Sequence, residues 1–370
     1  MRYYIIAGEA SGDLHGSNLI KAIKAKDPNA IIQCWGGDLM EAAGGKLVKH
    51  YRSLAFMGFV EVLMNLRTIL SNIKFCKQDI ANFKPDVLVC VDYPGFNLRI
   101  AKWAKTKGLK VIYFIAPQVW AWKENRVPQM RQSIDRLLCI LPFEKQYFKD
   151  RWNWEVDYVG HPLMQVLADQ KNLANPLPQI EGENIIALLP GSRKQEILKK
   201  LPIMLSVANA FPDDHFAIAQ APGIDDEWFA SLVPKNKNIH IVKANTYALL
   251  NYSKAALVTS GTATLETALL GVPEIVCYKG NPITLALAKR FVKIKFIALV
   301  NLIMNKEVVK ELIQEELTTA NLIAALKDLL ENPAKQAQIK EDYAALQKAL
   351  YTGQNAAEVS AGIILEELSN

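Results

Sequence analysis

Residues Ala256–Pro273 read ALVTSGTATLETALLGVP. The run Ala256–Val258 is short, continuous and apolar, as in a strand buried on both faces. It stops at Thr259-Ser260-Gly261-Thr262, and apolar residues at helical spacing follow until Gly271 and Pro273 end the helix. A glycine at such a turn lets backbone N–H groups approach a ligand, and a helix N-terminus favours negative charge. Thr262 and Thr264 set two hydroxyls at the corner, and Glu266 offers a carboxylate to a ribose about one helical turn later. Two readings stand at this point. One is a strand–helix corner capped by Ser or Thr, such as every α/β domain needs; the other is one wall of a nucleotide diphosphate site.

Outward from this stretch the same strand–turn–helix unit recurs. Strand Arg2–Ala7 runs into Gly8-Glu9-Ala10-Ser11-Gly12-Asp13 and a helix over about Leu14–Lys26. The loop lacks the G-x-G-x-x-G spacing, and no acidic residue closes the next strand in the expected place, which argues against a nicotinamide cofactor. Ser11 or Asp13 either caps the helix or meets a ligand. The apolar strand Pro85–Val91 ends on Asp92, followed by Tyr93-Pro94-Gly95-Phe96-Asn97. Open α/β sheets place their chemistry outside the carboxyl ends of strands. Asn97 is the expected cap of a helix from Leu98, which leaves Asp92 free to act as a general base.

Strand Leu109–Ile115 leads to Trp120 and Trp122, which either line a pocket or pack a domain face. Strands Arg136–Leu141 and Val156–Val159 continue the alternation, and His161 follows as a structural, hinge or ligand residue. Asn172–Gly182, rich in Asn, Pro and Gln, reads as a linker. The pattern then restarts with strand Asn184–Leu189, the turn Pro190-Gly191-Ser192-Arg193 and a helix from near Glu196. Ser192 and Arg193 at a helix N-terminus suit a phosphate; an Arg193–Glu196 surface pair is the alternative. Strands are expected at His215–Ala219, Ile239–Val242, Ala256–Val258 and Glu274–Cys277, and everything from Lys306 reads as helical. The expected domains are 1–170 and 183–350, with 351–370 a helix of its own.

The 370 residues are long enough for two α/β domains, and 51% apolar against 22% charged residues describes a globular chain. Five scattered cysteines, never in a C-x-x-C pair, point to neither a disulfide framework nor a zinc site. The first residues already form a strand and no apolar run reaches membrane-span length, so a cytoplasmic protein without a leader is expected. Residues 1–165 carry 23 Lys and Arg against 15 Asp and Glu; residues 166–370 carry 20 against 22. The whole positive balance therefore belongs to the first half, where it suits phosphates or an anionic membrane surface. No basic stripe with interleaved aromatics appears, which argues against nucleic acid. Within that half, Phe56, Met57, Phe59, Val60 and Leu63 belong to Ala55–Leu66, a segment apolar on too many sides for a surface helix. It is either a buried helix or a patch that grips acyl chains or lipid. Lys289–Asn305 is a second basic and apolar stretch.

Nine motifs occur in order: GEASGD (Gly8–Asp13), MGFVEVL (Met57–Leu63), KPDVLVCVDYPGFN (Lys84–Asn97), APQVWAW (Ala116–Trp122), LPFEKQYF (Leu141–Phe148), VGHPL (Val159–Leu163), LLPGSRKQEI (Leu188–Ile197), SGTATLETAL (Ser260–Leu269) and LVNLI (Leu299–Ile303). Together they resemble the lipid-A-disaccharide synthase family over nearly the whole chain. The resemblance implies a GT-B fold: two Rossmann-like doubly wound domains facing a cleft, with a helix near Tyr351–Asn370 crossing back to the first domain. It also implies an inverting transfer, without metal or cofactor, of 2,3-diacylglucosamine from its UDP donor to 2,3-diacylglucosamine 1-phosphate. Asp92, taken as a carboxylate of ordinary pKa, would deprotonate the acceptor's 6-hydroxyl. Ser192, Arg193 and the N–H groups around Gly261 and Thr262 would hold the UDP phosphates, and Glu266 the ribose. Glu9, Ser11 and Asn301 would line the cleft, and the Phe56 segment would meet acyl chains at the cytoplasmic face of an anionic inner membrane. A homodimer stays open. Three positions depart from the family pattern: Gly95 stands for an acidic residue, Asp38-Leu39 for Pro-Arg, and Val300 for Pro. Another GT-B enzyme acting on UDP-N-acetylglucosamine, such as a 2-epimerase, is the rival reading, and a non-catalytic nucleotide- or lipid-binding protein is a third.

Overall fold

Alternation along the central strands organises the first half of the protein. In the computed structural model the described residues are 1–53, 66–171, 180, 184–243, 245–280 and 295–369. Chain contacts divide into two units, Met1–Met164 with Leu350–Asn370, and Gln165–Ala349.

The first unit runs β1 (Arg2–Ala7), α1 (Ala10–Lys26), β2 (Ile31–Gly36), α2 (Asp38–Ala42), β3 (Lys46–His50), α3 (Leu66–Phe83), β4 (Val87–Val91), α4 (Pro94–Thr106), β5 (Lys110–Phe114), α5 (Val127–Ser133), β6 (Arg136–Cys139), α6 (Pro142–Trp152) and β7 (Asp157–Tyr158), after which α7 (Leu163–Lys171) begins. Its seven strands pair in parallel in the order β3-β2-β1-β4-β5-β6-β7. Strand side chains alternate between faces. Tyr3, Ile5 and Ala7 therefore pack with Leu19, Ile20 and Ile23 of α1, while Tyr4 and Ile6 pack with Ile73 and Ile80 of α3 and Phe96 and Ile100 of α4. Both faces are covered, which is why β4 and β5 read as unbroken apolar runs.

The second unit repeats the plan with β8 (Ile185–Leu189), α8 (Lys194–Leu205), β9 (His215–Gln220), α9 (Asp226–Ser231), β10 (Ile239–Lys243), α10 (Thr246–Asn251), β11 (Ser253–Thr259), α11 (Thr262–Leu269), β12 (Glu274–Tyr278), α12 (Leu299–Met304), β13 (Lys310–Ile313), α13 (Thr319–Glu331) and α14 (Pro333–Leu350). Its parallel order is β10-β9-β8-β11-β12-β13. The final helix, α15 (Ala356–Ser369), belongs to the first unit and packs on α1. Ala357, Ala361 and Ile364 enter that core, and Glu366 and Glu367 reach Arg136 at 3.8 and 3.6 Å. The expected return of the C-terminal helix is thus observed, five residues later than its sequence boundary.

Three strands escape the sequence reading. β2 and β3 lie between helices as short pieces, and β3 (KLVKH) is a half-buried edge strand with few apolar residues. β13 (KELI) falls inside the stretch read as helical; it is extended because its backbone pairs with β12, Ile275 facing Lys310 and Tyr278 facing Ile313. The linker Asn172–Gly182 lies outside the described residues except Ile180, as do residues 289–294 of the second basic stretch. All five cysteines are buried and unpaired.

Glu274, at the start of β12, is fully buried and neither of its carboxylate oxygens has a hydrogen-bond partner among the described residues. Burial raises its pKa well above the ordinary carboxylate value. The folded state therefore holds a proton that the unfolded state releases near its own pKa. Stability falls as pH rises from that lower value towards the folded one, at about 1.4 kcal/mol per pH unit. Glu274→Gln is expected to flatten this slope as pH rises above the ordinary carboxylate range. Urea melts over that rise in pH test it, and an unchanged slope rejects the assignment.

Candidate active site

In both sheets the strand order reverses direction at one place: between β1 and β4, and between β8 and β11. Loops leaving neighbouring strands at such a switch point diverge and leave a crevice at the carboxyl ends. The motifs singled out from the sequence leave these four strands.

At the switch point of the first unit, β4 ends in Asp92 and Tyr93, which both adopt left-handed backbone at φ 46° and 50°. Two consecutive non-glycine residues there are strained, and the fold holds them by over-determination. The Asp92 amide donates to the Phe114 carbonyl at 3.0 Å, and the Asp92 carbonyl accepts from Tyr113 Oη at 2.6 Å and Asn97 Nδ2 at 2.8 Å. Asn97 is therefore a staple and not a helix cap: α4 begins at Pro94, and buried Asn97 also donates to the carbonyls of Val91 and Ile6. Gly8 completes the turn, because the Tyr93 ring lies where a Cβ would stand.

The backbone is fixed; the Asp92 carboxylate faces a pocket of about 330 Å³ lined by Ile115, Gln118, Trp122 and Arg126 among others. Ile115 (φ 68°) adds a third strained residue, an outlier for a β-branched side chain. Burial, then the negative charge of Glu9, raise the Asp92 pKa to about 6, against a lowering hydrogen bond from the Tyr93 amide. An ordinary carboxylate was expected, and this is the correction: proximity and burial move the group towards neutrality.

Glu9 is exposed at the end of β1, near enough to act on both Asp92 and Tyr93. Ser11 sits exposed in the first turn of α1, which starts at Ala10, so neither Ser11 nor Asp13 caps that helix. Asp13 is buried and caps the next one, accepting from the backbone amides of Gly37, Leu39 and Met40 at 2.7, 3.2 and 3.0 Å. Trp122 lines the Asp92 pocket, whereas Trp120 donates to buried Glu144 at 3.0 Å and holds the loop. His161 is structural: its Nδ1 accepts the Leu163 amide, and burial pushes its pKa down to about 3.

At the switch point of the second unit, Ser192, Gly261, Thr262 and Glu266 line one pocket of about 270 Å³. Gly261 has φ 156° and ψ −161°, a region open to glycine and closed to side chains. The Glu266 carboxylate accepts from Tyr247 Oη at 3.0 Å, and its pKa is raised by burial against that hydrogen bond. Thr264 is removed from the ligand reading, since it is buried and its hydroxyl donates to the Gly261 carbonyl at 2.9 Å. Arg193 stands at the N-cap position of α8 without a side-chain cap hydrogen bond and pairs with Glu196 at 3.7 Å, the alternative left open by the sequence; it is not among the residues lining the pocket.

Asn301 does not face a ligand either. It is fully buried, its Nδ2 donates to the Val309 carbonyl and to Glu311, and its Oδ1 accepts the amides of Val308 and Val309. Glu311 in turn accepts the amides of Ile297 and Ala298, anchoring the start of α12. Phe56, Met57, Phe59, Val60 and Leu63 lie outside the described residues. The sequence reading missed Tyr247 and Thr246 in the second unit and Arg126 in the first, because none belongs to a turn motif with a local signature. Among the described residues no cluster of His, Cys, Asp and Glu could hold a metal ion, and no helix is long and apolar enough to cross a membrane.

Known proteins share both the sequence and the architecture. A family model described as lipid-A-disaccharide synthetase matches residues 3–364. The lipid-A-disaccharide synthase of Geobacter metallireducens is 34% identical over 375 residues, covering 99% of this chain and 97% of that protein. Among solved structures, the glycosyltransferase of kitacinnamycin superposes with a TM-score of 0.71 at 14% identity over 99% of each chain. A UDP-GlcNAc 2-epimerase from Neisseria meningitidis, solved with UDP-GlcNAc bound, does so with a TM-score of 0.65 at 14% identity over 100% of each. Such low identities speak for the fold alone, which is that of the GT-B glycosyltransferases. The full-length sequence match speaks for more: this chain belongs to the lipid-A-disaccharide synthase family, glycosyltransferases that form the lipid A disaccharide.

Proposed function

We propose that the chain transfers 2,3-diacylglucosamine from its UDP donor to 2,3-diacylglucosamine 1-phosphate, with inversion at the anomeric carbon. The observation that carries this reading is Asp92: a partly buried carboxylate at a switch point, its backbone pinned and its pKa near 6. Such a group is mostly ionised at neutral pH yet basic enough to accept a hydroxyl proton in the transition state. It takes the proton of the acceptor's 6-hydroxyl while that oxygen attacks the donor's anomeric carbon. The bond from that carbon to the UDP oxygen breaks on the opposite side, and its electron pair leaves with UDP.

In the second unit, Ser192 and the amides at Gly261 and Thr262 would meet the diphosphate as its charge grows. Arg193, exposed and paired with Glu196, would reach it by exchanging that weak surface pair for a phosphate. Glu266, aligned by Tyr247, would accept ribose hydroxyls. Glu266→Gln is expected to weaken UDP binding about tenfold, measured by calorimetry; unchanged affinity removes the ribose role. Glu9 would tune Asp92, and Ser11, exposed in the first turn of α1, would line the same side of the site. The apolar Phe56–Leu66 segment would receive acyl chains at the inner-membrane surface, so flotation with anionic liposomes should retain the protein at low salt.

The reaction is tested by incubation with both acylated substrates. Equal amounts of UDP and disaccharide 1-phosphate are expected, and no change in UDP-N-acetylglucosamine supplied alone. Epimerisation of that nucleotide sugar, with neither expected product, would reject the transferase reading in favour of the epimerases that share the fold.

A further inference from the structure

Beside the Asp92 pocket, in the same unit, lies a second depression of about 200 Å³. Gly95 and Arg99 of α4 line one side, and Arg126, Gln129 and Ser133 of the α5 segment line the other. Pro94 and Arg126 belong to both pockets, so the two are contiguous. Two guanidiniums, those of Arg99 and Arg126, line it. Neither guanidinium makes an ion pair or side-chain hydrogen bond with a described residue, and the acid next in sequence, Glu124, is committed to Tyr147 and Arg151. The Lys123 ammonium is also pushed below its usual pKa, by burial and then by the charge of Arg126. Positive charges crowded this way gain most from a bound anion. Gly95 adds the first turn of α4, a helix of 13 residues, with open space where a Cβ would stand.

We propose that this depression holds the anomeric phosphate of the acceptor sugar while its 6-hydroxyl lies at Asp92. The assignment rests on the acceptor named above. One hexose ring separates the acceptor's phosphate from its 6-hydroxyl, and one pair of shared residues separates the two pockets. Two guanidiniums suit the three oxygens of a phosphate monoester, which each can meet with two parallel N–H donors. The 1-phosphate thus selects the acceptor and sets its ring so that the 6-hydroxyl, and no other, meets the base.

The test compares 2,3-diacylglucosamine 1-phosphate with the same lipid lacking the phosphate, both in the same detergent micelles. Arg99 is exposed and does not line the Asp92 pocket, so Arg99→Ala leaves the base and its surroundings in place. Arg99→Ala is expected to lose roughly 30- to 100-fold in kcat/KM on the phosphorylated acceptor. The loss should fall mainly on KM, leaving KM for the donor and the slower rate on the phosphate-free acceptor unchanged. Arg99→Lys should recover part of the loss, since it restores charge without the planar fork. Equal losses on both acceptors, or none on the phosphorylated one, overturn the assignment. Wild-type protein that consumes neither acceptor overturns the acceptor reading itself, and this subsite with it. Thermal melts of both variants check that the fold is intact.

Discussion

Asp92→Asn is expected to lower kcat by about 10²- to 10⁴-fold, the range associated with losing a general base. UDP affinity should remain, because the pocket proposed for the nucleotide belongs to the other unit. The wild-type pH profile carries the same assignment. A base works in its deprotonated form, so kcat/KM should fall on the acid side with an apparent pKa near the value of about 6 that burial and Glu9 impose on Asp92. Below that pH the rate should drop about tenfold per unit. Glu9→Gln removes one of the two influences that raise this pKa, and the acid limb should move to lower pH. The move should be partial, since burial is the larger cause. A rate that survives in Asp92→Asn, or an acid limb that stays near the ordinary carboxylate range, would assign the base elsewhere.

Asn301→Ala is expected to cost about 3–5 kcal/mol of stability, with no effect on UDP binding by the protein that still folds. The substitution leaves the amides of Val308 and Val309 and the Val309 carbonyl without this partner, and takes a donor from buried Glu311. Each buried polar group left unpaired costs about 1–3 kcal/mol. Asn301→Asp should not rescue it, because it keeps the acceptors but sets a second carboxylate against Glu311. Urea melts paired with UDP titrations decide the matter: stability unchanged with affinity lost would return Asn301 to the binding site. The motif is thus explained by the α12–β13 corner that the side chain builds.

These two residues mark how far local sequence reaches. Asp92 was legible because an apolar run ending in a carboxylate places that group at a strand's carboxyl end. The places of Gly261, Ser192 and Glu266 at strand–helix corners were legible for a similar reason: glycine, hydroxyl and acid follow a strand at helical offsets. Asn301 was misread because its partners arrive from Val308–Glu311, and β13 exists only by pairing with β12. Asn97 and Asp13 look like local caps, yet both bond across the fold, Asn97 to β1 and Asp13 to the start of α2. Arg193 at a helix start left two readings open, a phosphate or Glu196, and the fold shows the pairing with Glu196.

The opening stretch Ala256–Pro273 shows the same division. By itself it determined a buried strand, a glycine turn and a helix, because burial on both faces, backbone freedom at Gly261 and apolar spacing are local properties. It also determined which residue types stand at the corner. Only the tertiary structure decided that this corner is one wall of a pocket: β11 lies beside β8 and not beside β10, so Gly261 and Ser192, remote in sequence, line it together. The tertiary structure likewise turned Thr264 inward and brought Tyr247 to Glu266. In the first unit it set Glu9 near Asp92 and gave Arg126 a place in two pockets. Strand order and electrostatic proximity are relations between distant segments, and no single segment encodes them.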